Sequence, residues 1–464
     1  MSGRYLRNLI AIAVLIALWF SFRAWTQHKK HEEARKAAEK TSAKLLPVKS
    51  ASIQSFTITP RTGESFTCGR RGKTWAIVKP QPVTADQGKV ESFLQSLTDA
   101  SADQVIAAHP SGLKDFGLAP PEETIQASST SKPPQFTLRL GDETPTSSGV
   151  YAQIAGDPRV FTISDDTKTA LEKSMFDLRD TRAVTLESSQ VNRIQVTSGK
   201  QNYTLAKNPE GVWEVSLPPA VRADHFAAEG LVDNFQSLSM QSVVAQDKKN
   251  LDQYGFMKPT LSVQLSTPSG SQTLTVGNKT KQGSAYYAEN SVLDPVFTLD
   301  ESSVSQFQKN ASDFRDKNLF SWDMFDVKSF DATSPEGAWT FEQQNSNWKE
   351  SSPDKRTISS DDVNAFLSAL RDLQAASFPP AKAGQMNNFG FAKPSYVFKV
   401  TFGAKNQTQE VDIAQANGKI YARRPSDPLP SEISQSDLTS IESSFAKISA
   451  PPAAKSKKKT SKGK

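Results

Sequence analysis

The stretch LDQYGFMKPTLSVQL, Leu251–Leu265, decides the architecture because the chain contains two more versions of it. An earlier copy reads LKDFGLAPPEETIQA from Leu113, and a later one reads MNNFGFAKPSYVFKV from Met386. Each has an aromatic-Gly-apolar centre, and the glycines stand at Gly117, Gly255 and Gly390, separated by 138 and 135 residues. A period that long describes a duplicated domain rather than a stacked helical hairpin. Glycine between two large apolar residues predicts a turn with positive φ, its neighbours plugging the core.

The repetition extends outward. A tryptophan stands 42 residues before each glycine, at Trp75, Trp213 and Trp348. An aspartate suited to capping a helix follows, at Asp86, Asp224 and Asp361. After each glycine comes a turn and a tyrosine, at Tyr151, Tyr287 and Tyr421. The first two copies then read DPRVFTI and DPVFTLD, and close on FDLRDTR from Phe176 and SDFRDKN from Ser312. Six landmarks in one order define three modules.

Alternating segments such as Ser52–Pro60, and VNRIQVTSGKQNYTLAKNPEGVWEV from Val191, predict antiparallel strand pairs. Asp86–Ala100 and Asp361–Leu373 have helical spacing. In the latter, Val363, Phe366, Leu367, Leu370 and Leu373 form a buried stripe. Short helices near Asp166–Met175 and Ser302–Asn310 are expected to close modules one and two. The predicted class is α+β: an N-terminal transmembrane helix followed by three tandem, homologous, strand-rich modules with packed helices. The expected division is a membrane anchor at 1–25, a charged stem at 26–49, modules at 50–185, 186–322 and 323–449, and a Lys-rich disordered tail at 450–464.

The anchor rests on the uncharged run NLIAIAVLIALWFSF, Asn8–Phe22, extended to Tyr5–Trp25 with Arg7 and Arg23 able to snorkel. A cleaved signal peptide is the alternative, although SFRAWTQ offers no small-x-small cleavage site. The expected placement is single-pass in the inner membrane with an extracytoplasmic body. The basic stem pulls the other way under the positive-inside rule.

The net charge of +6 sits at the ends. Six lysines occupy Lys455–Lys464, and the first 49 residues carry ten Lys or Arg against three Glu, a net of +7. The remainder is therefore near −7 (6 − 6 − 7). A basic total confined to the termini excludes a nucleic-acid-binding body as the leading reading.

No P-loop, dinucleotide fingerprint, HExxH or GxSxG pattern is present. Cys68 is the lone cysteine and His28, His31, His109 and His225 are scattered, so no catalytic, cofactor or metal residues are assigned. Asp86, Asp224 and Asp361 read as caps, and Arg179-Asp180 and Arg315-Asp316 as salt-bridged turns.

The anchor, the strands ending in Trp75 or Trp213, YGFMKP and FGLAPP, VYAQI and YYAEN, and LRDTR and FRDKN together resemble a bacterial membrane-anchored family. It is known only as a numbered domain of unknown function, number forty-three forty in that series. The resemblance implies a non-enzymatic accessory or scaffold subunit of an ABC-2-type, gliding-motility-like exporter. Its partners would be the transporter permease, its ATPase or other envelope proteins. The alternative is an envelope module binding glycan or peptide, which would need Trp75, Trp213 and Trp348 exposed in one groove.

Overall fold

The computed structural model describes residues 44–450, except 200, 218, 346, 381 and 383. The chain divides into two compact units, Met1–Thr181 and Arg182–Lys464.

The first unit contains one nine-stranded sheet. Its strands are β1 Ile53–Pro60, β2 Phe66–Arg71, β3 Thr74–Lys79, β4 Val83–Thr84, β5 Gln104–Ala107, β6 Glu123–Ser129, β7 Gln135–Glu143, β8 Gly149–Ile154 and β9 Val160–Ser164. Their order across the sheet is β4-β3-β2-β1-β6-β7-β8-β9-β5. Two antiparallel meanders are thus joined through the β1–β6 ladder, and β5 adds to the far edge.

Helix α1, Gln87–Asp99, interrupts the strands. Asp86 caps it by accepting the Lys89 amide at 3.1 Å, and Val90, Phe93, Leu94 and Leu97 face the core. Phe93 meets Phe56 of β1 at 4.7 Å between ring centroids, and Phe56 meets Trp75 at 5.8 Å. Helices α2, Asp165–Leu171, and α3, Met175–Leu178, pack beside α1.

The second unit contains two sheets. One repeats the first with β10 Arg193–Ser198, β11 Gln201–Lys207, β12 Trp213–Ser216, β13 Ala220–Arg222, β14 Ser242–Ala245, β15 Leu261–Thr267, β16 Gly270–Lys279, β17 Ala285–Asn290 and β18 Val296–Asp300. Its order, β13-β12-β11-β10-β15-β16-β17-β18-β14, matches the first strand for strand.

The other has eight strands: β19 Val327–Ser334, β20 Gly337–Gln344, β21 Asn347–Ser352, β22 Thr357–Ile358, β23 Tyr396–Phe402, β24 Gln407–Ala416, β25 Lys419–Arg423 and β26 Ser431–Glu432. Helix α4, His225–Gln236, corresponds to α1, and α5, Glu301–Ser305, is the short closing helix. In the third sheet α6, Ser360–Arg371, packs against α7, Gln435–Ser449. Phe366 of α6 lies 5.5 Å from Phe398 and 5.4 Å from Phe445 of α7.

The α+β expectation is corrected. The described chain is predominantly antiparallel sheet, three sheets with few helices. Helical stripes are real at α1, α4, α6 and α7, but the closing helices of the first two modules shrink to short pieces rich in Ser, Thr and Asp, which favour caps over helix interiors. The transmembrane helix at residues 5–25, most of the stem and the tail after Ala450 lie outside the described residues. Among the described residues no helix is long and apolar enough to cross a membrane.

A further repeat appears in the connections. The amides of Leu45, Ala183 and Leu319 donate to the carbonyls of Ala100, Leu238 and Leu373, just beyond α1, α4 and α6, at 2.9, 2.9 and 3.1 Å. The chain entering each sheet is thereby fastened to the end of that sheet's helix.

Candidate functional site

The nine repeated landmarks come together as two structural devices. Trp75, Trp213 and Trp348 are 2%, 0% and 3% exposed. They occupy equivalent strands, β3, β12 and β21, but differ in polar contacts. Trp213 donates its indole N–H to Glu229 Oε1 at 2.8 Å, and Lys207 lies over its ring at 4.8 Å. The Trp75 indole nitrogen is buried with no partner among the described residues, while Arg70 covers the ring.

The second device joins glycine and tyrosine. Phe116, Tyr254 and Phe389 immediately precede the glycines and meet Tyr151, Tyr287 and Tyr421 at 5.1, 4.9 and 5.0 Å. The intervening glycines have φ of 63°, 82° and 85°, as the sequence predicts. A β-carbon at Gly117 would fall 2.1 Å from Asp142 Oδ1, and one at Gly255 would fall 2.4 Å from Asn278. The turn therefore presses on the strand behind it.

One cap is reassigned. In the third sheet Ser359, not Asp361, accepts the first-turn amide, that of Asp362, and Asp361 lies within the first turn. Ser359 stands eleven residues after Trp348, the same offset that separates Asp86 from Trp75 and Asp224 from Trp213. The Arg-Asp closings form backbone clasps: Asp180 N–H donates to Thr84 O at 2.9 Å and Asp316 N–H to Arg222 O at 3.1 Å. Asp316 pairs with Arg222 at 2.6 Å, whereas Arg315 stacks on Phe378 at 3.8 Å, and burial lowers its pKa to about 10. His109 and His225 are exposed in different units. Cys68 is buried and its thiol is pushed up to about 12, which leaves it unreactive.

The residue that sequence reading missed is Glu123. It opens β6 opposite Leu140 of β7. The same register places Leu261 opposite Val276 in the second sheet and Tyr396 opposite Ile413 in the third. Leu261 is fully buried, and Tyr396 donates its hydroxyl to Glu442 of α7 at 2.7 Å. Glu123 is 7% exposed, and its Oε1 is buried without a hydrogen-bond partner among the described residues. Burial raises this carboxyl to about 7, with Glu172 adding to the rise and Lys173 and Lys168 opposing it.

Glu123 lines a cleft of about 590 Å³ with Arg61, Leu140, Asp142, Val150 and Glu172. The neighbouring cations are committed elsewhere. Arg61 pairs with Glu122 at 2.6 Å and donates to Pro120 O at 2.8 Å. Lys168 lies 3.6 Å from Glu172, and Lys173 donates to Thr169 O at 2.6 Å.

Two other clefts lie in this unit. In one of about 480 Å³, Arg159 pairs with Asp157 at 2.6 Å. In one of about 730 Å³, Asp86 and Asp177 cap helices. Among the described residues no three His, Cys, Asp or Glu converge as a metal site.

A family model described as "Domain of unknown function (DUF4340)" matches residues 75–219 and again residues 213–379. The chain belongs to this family. Both matches begin at a repeated tryptophan, so each matched segment starts within one sheet and runs into the next. Comparison with curated proteins gives no match. Comparison with solved structures also gives none.

Proposed function

We propose that this protein is a non-enzymatic accessory or scaffold subunit of an ABC-2-type, gliding-motility-like export system. In this reading the apolar segment around residues 8–22 holds it at the inner membrane with its body in the periplasm. The supporting observation is that all nine landmarks repeated through the chain are used in the frame. Three tryptophans fill cores, and three aromatic-Gly turns lock onto three tyrosines. Repetition here multiplies a scaffold rather than a reactive group, and the tandem sheets offer successive surfaces to a partner.

Burial of Trp75, Trp213 and Trp348 counts against the alternative, an envelope module binding glycan or peptide in a groove of exposed tryptophans. The test is purification of the tagged full chain from crosslinked membranes of its own host. Recovery of transporter permease or ATPase subunits is the expected result. Recovery of the chain alone from fully solubilised membranes overturns the proposal.

A further inference from the structure

Glu123 occupies a core position in the ladder yet carries a carboxylate with an unpartnered oxygen. The sibling sheets show what ordinary folding places there: a leucine, or a tyrosine whose hydroxyl is paired. A buried acid without a partner destabilises the protein that holds it. The cleft beside it is sized for a small ligand or a single side chain. The charges lining it are five acids, Glu122, Glu123, Asp142, Glu143 and Glu172, against Arg61 and Lys168, a formal net of −3 (2 − 5).

Its walls are not uniformly polar. Leu140 and Val150 line it, with Gly141 between Leu140 and Asp142. We propose that this cleft binds an alkylammonium group, with Glu123 as its counter-ion and Leu140, Val150 and Pro60 flanking the methylene stem. A primary ammonium is a compact point charge suited to the one Glu123 oxygen that is not buried, whereas a guanidinium is matched to two. The aliphatic stem of such a group lies along apolar surface while its head seeks the charge. Each cation of the cleft already has its own acceptor, so the vacant partnership at Glu123 falls to an incoming group.

This inference goes beyond the accessory reading and does not depend on it, since the copurification test can fail while the cleft still binds amine. The experiment is calorimetric titration of the full chain at pH 8 with 1,5-diaminopentane, with an end-blocked Gly-Lys-Gly peptide and with its Arg counterpart. Saturable binding of one or both amines is expected, with the Arg peptide weaker. Preference for the peptide identifies a protein lysine as the source, and preference for the diamine identifies a free amine.

Glu123→Gln is expected to weaken binding at least about tenfold, equal to about 1.4 kcal/mol. Glu123→Leu, which copies the second sheet, is expected to abolish binding while raising the melting temperature, so lost binding is not lost folding. No saturable binding of either amine, equal binding by Glu123→Gln, or competition by calcium chloride beyond that of sodium chloride at equal ionic strength overturns the proposal.

Discussion

Where β6, β15 and β23 begin, the same ladder position carries Glu123, Leu261 and Tyr396. The first two sheets share their strand order, so the difference between a buried carboxylate and a buried leucine cannot come from topology. It comes from what lies beside the strand. The first sheet leaves a cleft beneath α2 with the acid facing it, whereas the second encloses an apolar chain completely. A duplicated frame thus acts as its own control: the leucine marks what the fold requires, and the glutamate marks what it tolerates.

Exchanging the two residues tests this contrast most severely. Leu261→Glu places an unpaired charge in a filled core and should destabilise the second sheet by roughly 3–5 kcal/mol at pH 8. Hydrogen exchange of β15 and β16 amides would measure it, and a loss below about 1 kcal/mol would show that this sheet also has room for a carboxylate.

The reverse change, Glu123→Leu, should stabilise the first unit, and the effect depends on pH. The folded carboxyl has its pKa raised from 4.5 to about 7, mainly by burial, so between these values the folded state keeps a proton that the unfolded state releases. Stability therefore falls as pH rises from about 4.5 to about 7. The penalty is fully present above that window and absent below it. A shift of this size corresponds to about 3 kcal/mol. Melting curves of wild type and Glu123→Leu should diverge at pH 8 and converge near pH 4.5; parallel curves across that range would refute burial as the cause.

A second contrast of similar size concerns the strand behind each aromatic-Gly turn. A β-carbon at Gly277 would fall 2.0 Å from Tyr254 O and one at Gly141 2.1 Å from Phe116 O, whereas the third sheet carries Ala414 at this register. Gly277→Ala should cost about 3 kcal/mol through overpacking and a displaced turn. Unchanged hydrogen-exchange protection around β16 would show that the turn moves freely.

The smallest expected difference separates two buried tryptophans. Trp213→Phe removes a charge-assisted bond to Glu229 and should cost about 2 kcal/mol, whereas Trp75→Phe removes an unpaired N–H and should cost about 1 kcal/mol or less. Equal losses in urea titrations would mean that ring volume, not the indole nitrogen, sets the cost at both sites.

Parts of this structure were legible in the residues. The positive φ of Gly117, Gly255 and Gly390 was readable from a glycine set between two large apolar residues. The Asp86 and Asp224 caps were readable, and the eleven-residue offset from tryptophan pointed to Ser359 had the spacing been weighed above residue type. A third Asp-Pro pair, Asp427-Pro428, went unread because PLPSEI hides the strand that follows it. Burial raises the pKa of Asp427, which lies close enough to Arg222 and Arg315 for them to oppose that rise. Helix α7 was missed because its apolar residues are spaced among serines that read as loop.

Sequence alone determined the threefold repetition, the strand-turn grammar of each copy and the glycines on which each turn depends, because these rest on local sterics and on patterns carried by neighbouring residues. Only the tertiary structure decided the fate of Glu123. In ETIQASS it begins an alternating strand and reads as a solvated end residue. Its burial arises from β7 and the helices of the first unit, elements that reach it only when the sheet is assembled, and a carboxylate's hydration is set by what surrounds it rather than by its place in the chain.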